Sequence, residues 1–190
     1  MSTTINHLGE ENKKQYQNAV VPPIVQTSNF VFDDVAHMRH CLQNEFTEHT
    51  YTRGNNPTVE ILRKKLAALD NADDALVFSS GSAAAAAAIF SVVKKGDHII
   101  CIEHCYGWAQ NLIKDILYNL GVEYTFIDGR EVDNFRKAIK DNTKLIYLES
   151  PNSVMLELQD IPAVVQLAKA NDITTIIDNT YCAPFYQKPL

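Results

Sequence analysis

The run Ser79-Ser80-Gly81-Ser82 has the residue types of an anion-binding turn. It follows the apolar residues 75–78 and precedes an alanine-rich stretch, so it is predicted to join a strand to a helix. The N–H groups and the dipole at the start of a helix attract anions, and Gly81 lets the backbone approach a phosphate closely. The Ser82 hydroxyl adds a hydrogen-bond donor. Taken alone, the run is equally typical of a serine that caps a buried helix.

Asp178 and Tyr106 each stand near the end of an apolar stretch. A carboxylate buried there without a partner is costly, so Asp178 requires a cation unless it caps a helix or forms a turn with Asn179. The Tyr106 ring suits stacking on a flat heterocycle, or packing at the rim of the protein with its hydroxyl in water. Both alternatives stay open for each residue taken singly.

A cluster of histidine and cysteine over residues 98–105 suggests zinc chemistry. Its members are His98, Cys101, His104 and Cys105. No second ligand pair follows at the spacing of zinc fingers, and we expect no metal site. The four cysteines of the chain are too sparse for a small disulfide scaffold, so reduced thiols are expected.

Strand and helix patterns alternate after an irregular first fifty residues. Strands are predicted at residues 75–78, 98–102, 122–128, 144–150 and 173–178. Helices are predicted from Asn56-Pro57 to Leu69, from the SSGS turn to Val93, and over residues 109–120, 132–139 and 161–170. The alternation predicts an α/β fold, with a doubly wound and mostly parallel sheet covered by helices on both faces. In such a sheet, ligands bind beyond the carboxyl ends of the strands, where the SSGS turn, Tyr106 and Asp178 fall.

The composition limits the partners of the chain. With 190 residues, 46% apolar and 21% charged, the chain is expected to form one domain with a substantial core. A formal net charge of −6 without clustered basic residues argues against a nucleic-acid or anionic-membrane partner. The N-terminus lacks a secretion signal, and the longest apolar stretch, 83–93, is shorter than the about 20 residues of a membrane span. A cytoplasmic protein is therefore expected.

Five segments, taken together, resemble the Cys/Met-metabolism family of pyridoxal-phosphate enzymes in order and spacing. They are YTRGNNPT (51–58), VFSSGSAA (77–84), CYGWAQN (105–111), LESPNSVMLELQDIPA (148–163) and DNTYCAPFYQKPL (178–190). That family contains cystathionine γ-synthase, the cystathionine β- and γ-lyases, and methionine γ-lyase. The resemblance implies an incomplete large domain of a fold-type I enzyme. It also implies cleavage or formation of a C–S bond in cystathionine or a related sulfur amino acid, with pyridoxal 5'-phosphate as cofactor.

The resemblance also implies roles for single residues. Gly81 and Ser82 match the loop that holds the cofactor phosphate, although the family usually has methionine where this chain has Ser82. Tyr106 matches the ring that stacks on the pyridine face. Asp178 matches the carboxylate that pairs with the pyridine nitrogen and keeps the ring an effective electron sink.

Tyr51 and Arg53 match a Tyr-x-Arg pair that grips the phosphate in the neighbouring subunit's site. A planar guanidinium suits that task because it binds phosphate in a bidentate manner. The resemblance therefore implies a homodimer or homotetramer. It divides the chain into an arm, residues 1–55, that contributes to the neighbouring site, and an incomplete cofactor-binding domain, residues 56–190.

One match is imperfect. Many γ-type members read ESPTNP where this chain has Glu149-Ser150-Pro151-Asn152-Ser153-Val154, and Ser153 falls where their cofactor-contacting asparagine stands. The pattern is closer to the β-lyase branch, with Asn152 as an alternative contact. The substrate branch, β-lyase, γ-lyase or γ-synthase, stays open.

The family's Schiff-base lysine is expected beyond Leu190, since Lys188 falls in a turn upstream of it. The chain alone is therefore expected to be inactive and, with an uncovered sheet edge, poorly soluble. One alternative is an inactive remnant that binds the cofactor or a homologous subunit. Another is an unrelated nucleotide-binding domain, which is disfavoured because no G-x-G-x-x-G turn or P-loop is present.

Overall fold

The structure is a computed structural model that describes residues 2–11 and 13–190. It contains two compact units, one formed by Met1–Val77 with Leu190 and the other by Phe78–Pro189. The boundary predicted at residue 55 is a different one, because it divides an arm that acts in a neighbouring subunit from the cofactor-binding domain. That boundary stays a prediction.

The first unit is helical. Its elements are α1 (Ser2–His7), a short 3-10 helix (Lys13–Tyr16), α2 (Val35–Gln43) and α3 (Pro57–Asp70). The prediction of an irregular first fifty residues is therefore wrong. In α2 only Cys41 is buried, which explains the weak apolar pattern, and the start of the helix is fixed instead by Asp34, whose carboxylate accepts a hydrogen bond from the His37 N–H at 2.7 Å.

The predicted start of α3 is confirmed. The Asn56 side chain accepts a hydrogen bond from the Thr58 N–H at 2.9 Å, and Pro57 occupies the first turn, where its missing N–H has no cost. The helix ends at Asp70, and the next residue, Asn71, adopts the left-handed conformation with φ of 57°. The Asn56 amide also donates to the Val25 carbonyl at 3.1 Å and so ties the preceding segment to the helix.

The second unit contains a four-stranded sheet in which every pair is parallel. The strands are β1 (His98–Ile102), β2 (Glu123–Ile127), β3 (Thr143–Glu149) and β4 (Thr174–Asp178), in the order β2-β1-β3-β4. Four predicted strands are thus confirmed. The strand predicted at residues 75–78 is wrong, because no strand among the described residues pairs with that segment and Leu76 is 68% exposed.

The helices of the second unit lie on both faces of the sheet. They are α4 (Gly81–Val92), α5 (Gly107–Asn111), which continues into a π-helix (Leu112–Leu117), α6 (Val132–Ala138) and α7 (Ile161–Ala170). Helix α4 packs with α5, and α6 packs with α7. Since crossovers between parallel strands are right-handed, connections that run in opposite directions along the sheet place their helices on opposite faces. The predicted doubly wound α/β fold is confirmed.

The core lies around the two central strands. All five residues of β1 are buried, and β3 is buried at every position except Lys144. The chain runs outward from β1 to β2 and then returns past β1 to β3, so the strand order reverses between β1 and β3. In doubly wound sheets this reversal opens a crevice at the carboxyl ends of the strands, and ligands bind there.

Candidate functional site

A cavity of about 420 Å³ opens at this end of the sheet. It is lined by Ser80, Gly81, Ser82, Tyr106, Glu149, Ser153, Asp178, Thr180 and Tyr181. Four of the six residues predicted from the sequence are therefore brought together, from the start of α4, the turn after β1 and the end of β4. The volume is in the range of small-molecule sites.

The start of α4 presents free backbone donors to the cavity wall. Ser80 caps the helix, and its hydroxyl oxygen accepts a hydrogen bond from the Ala83 N–H at 3.1 Å. The N–H groups of Gly81 and Ser82 have no acceptor within the described part of the chain. A Cβ atom at Gly81 would meet nothing within 4 Å, so the space beside it is open. The serine cap and the anion site, which were alternatives in the sequence, are compatible in the structure.

Asp178 ends β4 and lines the cavity. Its Oδ1 accepts hydrogen bonds from the Thr180 N–H at 3.0 Å and from the Thr180 hydroxyl at 2.5 Å. Among the described residues, no lysine, arginine or histidine forms an ion pair with this carboxylate. Asp178 therefore takes part in a turn that Thr180 closes, and its second carboxylate oxygen, Oδ2, has no hydrogen-bond donor among the described residues.

Glu149 ends β3, and sequence analysis did not single it out as a site residue. It is 2% exposed, and its Oε2 accepts a hydrogen bond from the Tyr106 N–H at 2.5 Å. Its Oε1 accepts from the Ser153 hydroxyl at 2.5 Å. Burial raises the pKa of the Glu149 carboxyl above its ordinary value, and the charge of Asp178 raises it further, against the opposing effect of hydrogen bonds from Ser153 and Tyr106. A carboxylate ending an apolar strand was the available signal, as it was for Asp178.

The loop after β3 contains the two residues considered as cofactor contacts, Asn152 and Ser153, and places them differently. The Asn152 amide oxygen accepts from the Glu157 N–H at 2.8 Å, and its NH₂ group donates to the Glu157 carboxylate at 2.9 Å. Asn152 therefore braces the loop, and it is absent from the lining of the cavity. Ser153 lines the cavity instead.

Charged side chains connect the turns at the rim of this sheet edge. His104 lies 3.1 Å from the Glu157 carboxylate, which is also 3.7 Å from the Arg130 guanidinium. Arg130 in turn pairs with Asp128 and holds the pKa of that carboxyl down at about 2. These pairs join the turns that follow β1, β2 and β3, so they hold the rim of the sheet in one arrangement.

Tyr51 and Arg53 belong to the first unit. The Arg53 guanidinium carbon lies 5.4 Å from the centre of the Tyr51 ring, in cation–π geometry. Tyr51 is 44% exposed, and an isolated β-bridge joins it to Asn29. Their action in a neighbouring subunit stays a prediction.

The histidines and cysteines of residues 98–105 are occupied in other ways. His98 is fully buried, and its two ring nitrogens lie 2.8 Å and 2.9 Å from the hydroxyls of Thr143 and Thr125. The sulfur atoms of Cys101 and Cys105 lie 3.4 Å apart. Across residues 2–11 and 13–190, no three histidine, cysteine or acidic side chains are grouped to hold a metal ion. Nor does this part of the chain contain a helix with the length and apolar content of a membrane span.

An open parallel sheet with an anion-binding helix start, an aromatic ring and a carboxylate at the strand-order reversal defines a cofactor-binding enzyme domain of the α/β class. The family described as Cys/Met metabolism PLP-dependent enzyme matches residues 2–190, and the chain belongs to this family. The alternative of an unrelated nucleotide-binding domain is therefore wrong, and the family's cofactor is pyridoxal phosphate.

The chain is also similar in sequence to several enzymes that are named for reactions of cystathionine or methionine. A putative cystathionine gamma-lyase 2 of Caenorhabditis elegans is 41% identical over 191 residues, which cover 99% of this chain and 46% of the relative. A cystathionine beta-lyase MetC of Bacillus subtilis is 40% identical over 146 residues, which cover 77% of this chain and 37% of the relative. The L-methionine gamma-lyase of Treponema denticola is 38% identical, with 93% of this chain and 45% of the relative covered. The chain spans about half the length of such relatives.

Solved structures share the fold. The crystal structure of metB from Corynebacterium glutamicum superposes with a TM-score of 0.86 at 33% identity, covering 98% of this chain and 46% of that one. A putative O-acetylhomoserine (thiol)-lyase from Campylobacter jejuni, solved with a pyridoxyl-lysine monophosphate residue, has a TM-score of 0.86 at 30% identity. The superposition covers 91% of this chain and 43% of the Campylobacter jejuni chain.

Proposed function

We propose that this chain is the cofactor-binding part of an enzyme that cleaves or forms a C–S bond in cystathionine or a related sulfur amino acid. The cavity at the strand-order reversal carries this proposal. Among the described residues, the first N–H groups of α4 have no acceptor and the Asp178 carboxylate has no ion-pair partner, and both line the same 420 Å³ space. Such a space fits a ligand with a phosphate at one end and a protonated heterocycle at the other. When bound, pyridoxal phosphate supplies an electron sink for the carbanion at the substrate Cα.

Each lining residue has a task in this proposal. The N–H groups of Gly81 and Ser82 bind the phosphate at the positive end of the α4 dipole. Tyr106 covers one face of the heterocycle with its ring. Asp178 holds a proton on the ring nitrogen, because an adjacent carboxylate favours the charged form of that nitrogen. The catalytic lysine belongs to none of these positions and is proposed to lie outside residues 1–190.

A cofactor titration tests the assignment of Asp178. Pyridoxal phosphate is added to the chain, and binding is followed by the fluorescence of Trp108, the single tryptophan, and by the absorbance of the pyridine ring. Asp178→Ala is expected to weaken binding at least about tenfold, as loss of a charge-assisted contact does. Asp141→Ala, an exposed aspartate in the turn before β3, is the matched control. Equal binding by both variants contradicts the assignment.

The substrate branch needs an assay of turnover. A β-lyase releases pyruvate from cystathionine, a γ-lyase releases 2-oxobutyrate, and a γ-synthase forms cystathionine from cysteine and an activated homoserine. The enzyme that carries residues 1–190 is expected to show one of these three reactions, and the names of the relatives leave the branch open. Release of neither acid from cystathionine, together with no formation of cystathionine, contradicts the proposed activity. We propose a cytoplasmic location for this chemistry.

We further propose a homodimer or homotetramer in which residues 1–55 form an arm, with Tyr51 and Arg53 reaching the phosphate of the neighbouring site. Arg53→Ala and Asp178→Ala subunits are each expected to bind the cofactor poorly. When the two variants are unfolded and refolded together, mixed dimers regain one intact site, or about a quarter of all sites with random pairing. No recovery contradicts the shared site.

A further inference from the structure

We propose that Glu149 is a positioning residue that sets the ring of Tyr106 at the cofactor cavity by bridging the carboxyl ends of β1 and β3. This inference rests on the proposed function, because it concerns the same cavity. Glu149 stands on β3, and Tyr106 belongs to the turn that follows β1. Their hydrogen bond therefore crosses the place where the strand order reverses.

The position of the Tyr106 ring depends on its backbone. Its N–H donates to Glu149 at 2.5 Å, and its carbonyl accepts from the N–H groups of Ala109 at 2.9 Å and Gln110 at 3.1 Å. In the described part of the chain, the Tyr106 hydroxyl has no hydrogen-bond partner, and the side chain is 40% exposed. Because the hydroxyl has no partner there, the ring depends on the backbone for its position, and the bond to Glu149 restrains that backbone.

Both oxygens of the Glu149 carboxylate accept hydrogen bonds from residues that line the cavity. A carboxylate that is 2% exposed is costly unless its oxygens accept hydrogen bonds, and here each oxygen has one donor, Tyr106 or Ser153. The bond to Ser153 joins the loop after β3 to the same group. One side chain thus holds two turns that line the cavity.

Asp178, by contrast, keeps an oxygen free for the ligand. Glu149 and Asp178 are register partners on β3 and β4, and both line the cavity. The Oδ2 of Asp178 has no hydrogen-bond donor within the described residues, whereas both oxygens of Glu149 do. The two neighbouring carboxylates therefore have different roles in this proposal. Asp178 faces the ring nitrogen of the cofactor, and Glu149 positions the Tyr106 ring that covers the cofactor.

A double-mutant cycle tests this coupling. Pyridoxal phosphate affinity is measured for the wild-type chain, Glu149→Ala, Tyr106→Ala and the double variant. Glu149→Ala alone is expected to weaken binding about tenfold, but less than about threefold when Tyr106 is already alanine, because the group it positions is gone. The same loss in both backgrounds contradicts the proposal, since a merely structural role does not depend on the Tyr106 ring.

Two further variants sharpen the cycle. Glu149→Gln is expected to stay within about threefold of wild type, because its amide oxygen still accepts from Tyr106 and its NH₂ group donates to Ser153. Glu131→Ala removes an exposed glutamate that makes no side-chain cap bond, and it is expected to bind as wild type does. A Glu149→Gln variant as weak as Glu149→Ala, with both shown to be folded by circular dichroism, contradicts the proposal.

The amide resonance of Tyr106 gives a measurement that needs no cofactor. An N–H that donates to a carboxylate at 2.5 Å resonates far downfield and exchanges slowly, and Glu149→Ala is expected to remove both properties. An unchanged Tyr106 amide in Glu149→Ala overturns the proposed contact. If instead the amide moves while the wild-type chain fails to bind pyridoxal phosphate, the contact stands and the proposed function is contradicted.

Discussion

Glu149 and Asp178 are register partners at the carboxyl ends of β3 and β4, so two carboxylates stand side by side at one cavity. Both oxygens of Glu149 accept hydrogen bonds from the protein, whereas among the described residues Asp178 accepts through one oxygen only, from Thr180. Neighbouring carboxylates repel each other unless one is neutralised or paired with a cation. Asp178 keeps its Oδ2 without a donor among the described residues, and we propose that this oxygen faces the cationic ligand.

Substitutions at Ser82 separate the backbone from the side chain in phosphate binding. Ser82→Ala is expected to change pyridoxal phosphate affinity less than about threefold, because the N–H groups at the start of α4 are kept. Ser82→Asp is expected to weaken it at least about tenfold, because it places a like charge beside the phosphate. Titration with pyridoxal, which lacks the phosphate, is the control and should show a smaller effect. An equal loss for both ligands would place the phosphate elsewhere.

Gly129 is predicted to tolerate no side chain. A Cβ atom there would lie 2.5 Å from the Cγ2 of Ile102 and 3.1 Å from the Cγ of Gln159, so Gly129→Ala overpacks the end of the sheet. The expected loss in the free energy of unfolding is about 1–3 kcal/mol. Gly107→Ala is the matched control, because a Cβ atom there meets nothing within 4 Å. Urea denaturation measures both, and equal stability would show that the packing at Gly129 is loose.

His98 is predicted to make stability depend on pH. Burial, with the positive charge of Lys140, lowers the pKa of His98 from 6.5 to about 4 in the folded chain. Above pH 6.5 the imidazole is neutral in both states, whereas between pH 6.5 and 4 only the unfolded chain takes up the proton. Stability is therefore expected to fall by roughly 2–3 kcal/mol as the pH is lowered through this window.

The matched variant isolates this contribution from those of other titrating groups. His98→Gln is expected to be less stable at pH 7.5, because glutamine cannot bond both Thr125 and Thr143 as the imidazole does. It should lose less additional stability than the wild-type chain between pH 7.5 and pH 4.5. Parallel pH profiles from urea denaturation would mean that His98 titrates normally in the fold.

The sequence predicts most of the second unit because its signals are local. The apolar runs that form β1 to β4 and the serine cap of α4 are visible without the fold. The strand predicted at residues 75–78 is wrong because an apolar run becomes a strand only when another strand pairs with it. Helix α2 escaped prediction because it buries a single residue, so its apolar periodicity is weak.

The site is less local than the strands, and its contacts follow from the strand order. Glu149 accepts a hydrogen bond from the Tyr106 N–H because β1 and β3 are neighbours in the sheet. A local sequence pattern does not predict which strands are neighbours. The same holds for Asn152 and Ser153, which the sequence left as alternatives. Both ends of the Asn152 amide bond Glu157, a residue five positions away that the sequence did not indicate as a partner.

We propose that Asp178 keeps the ring nitrogen of bound pyridoxal phosphate protonated. Nuclear magnetic resonance of the chain with pyridoxal phosphate labelled with ¹⁵N in the ring measures this directly, because protonation moves the nitrogen resonance far upfield. The nitrogen is predicted to lose its proton at a higher pH in the wild-type chain than in Asp178→Asn, because an adjacent carboxylate favours the protonated ring. A bound nitrogen that titrates identically in the two proteins would contradict the account.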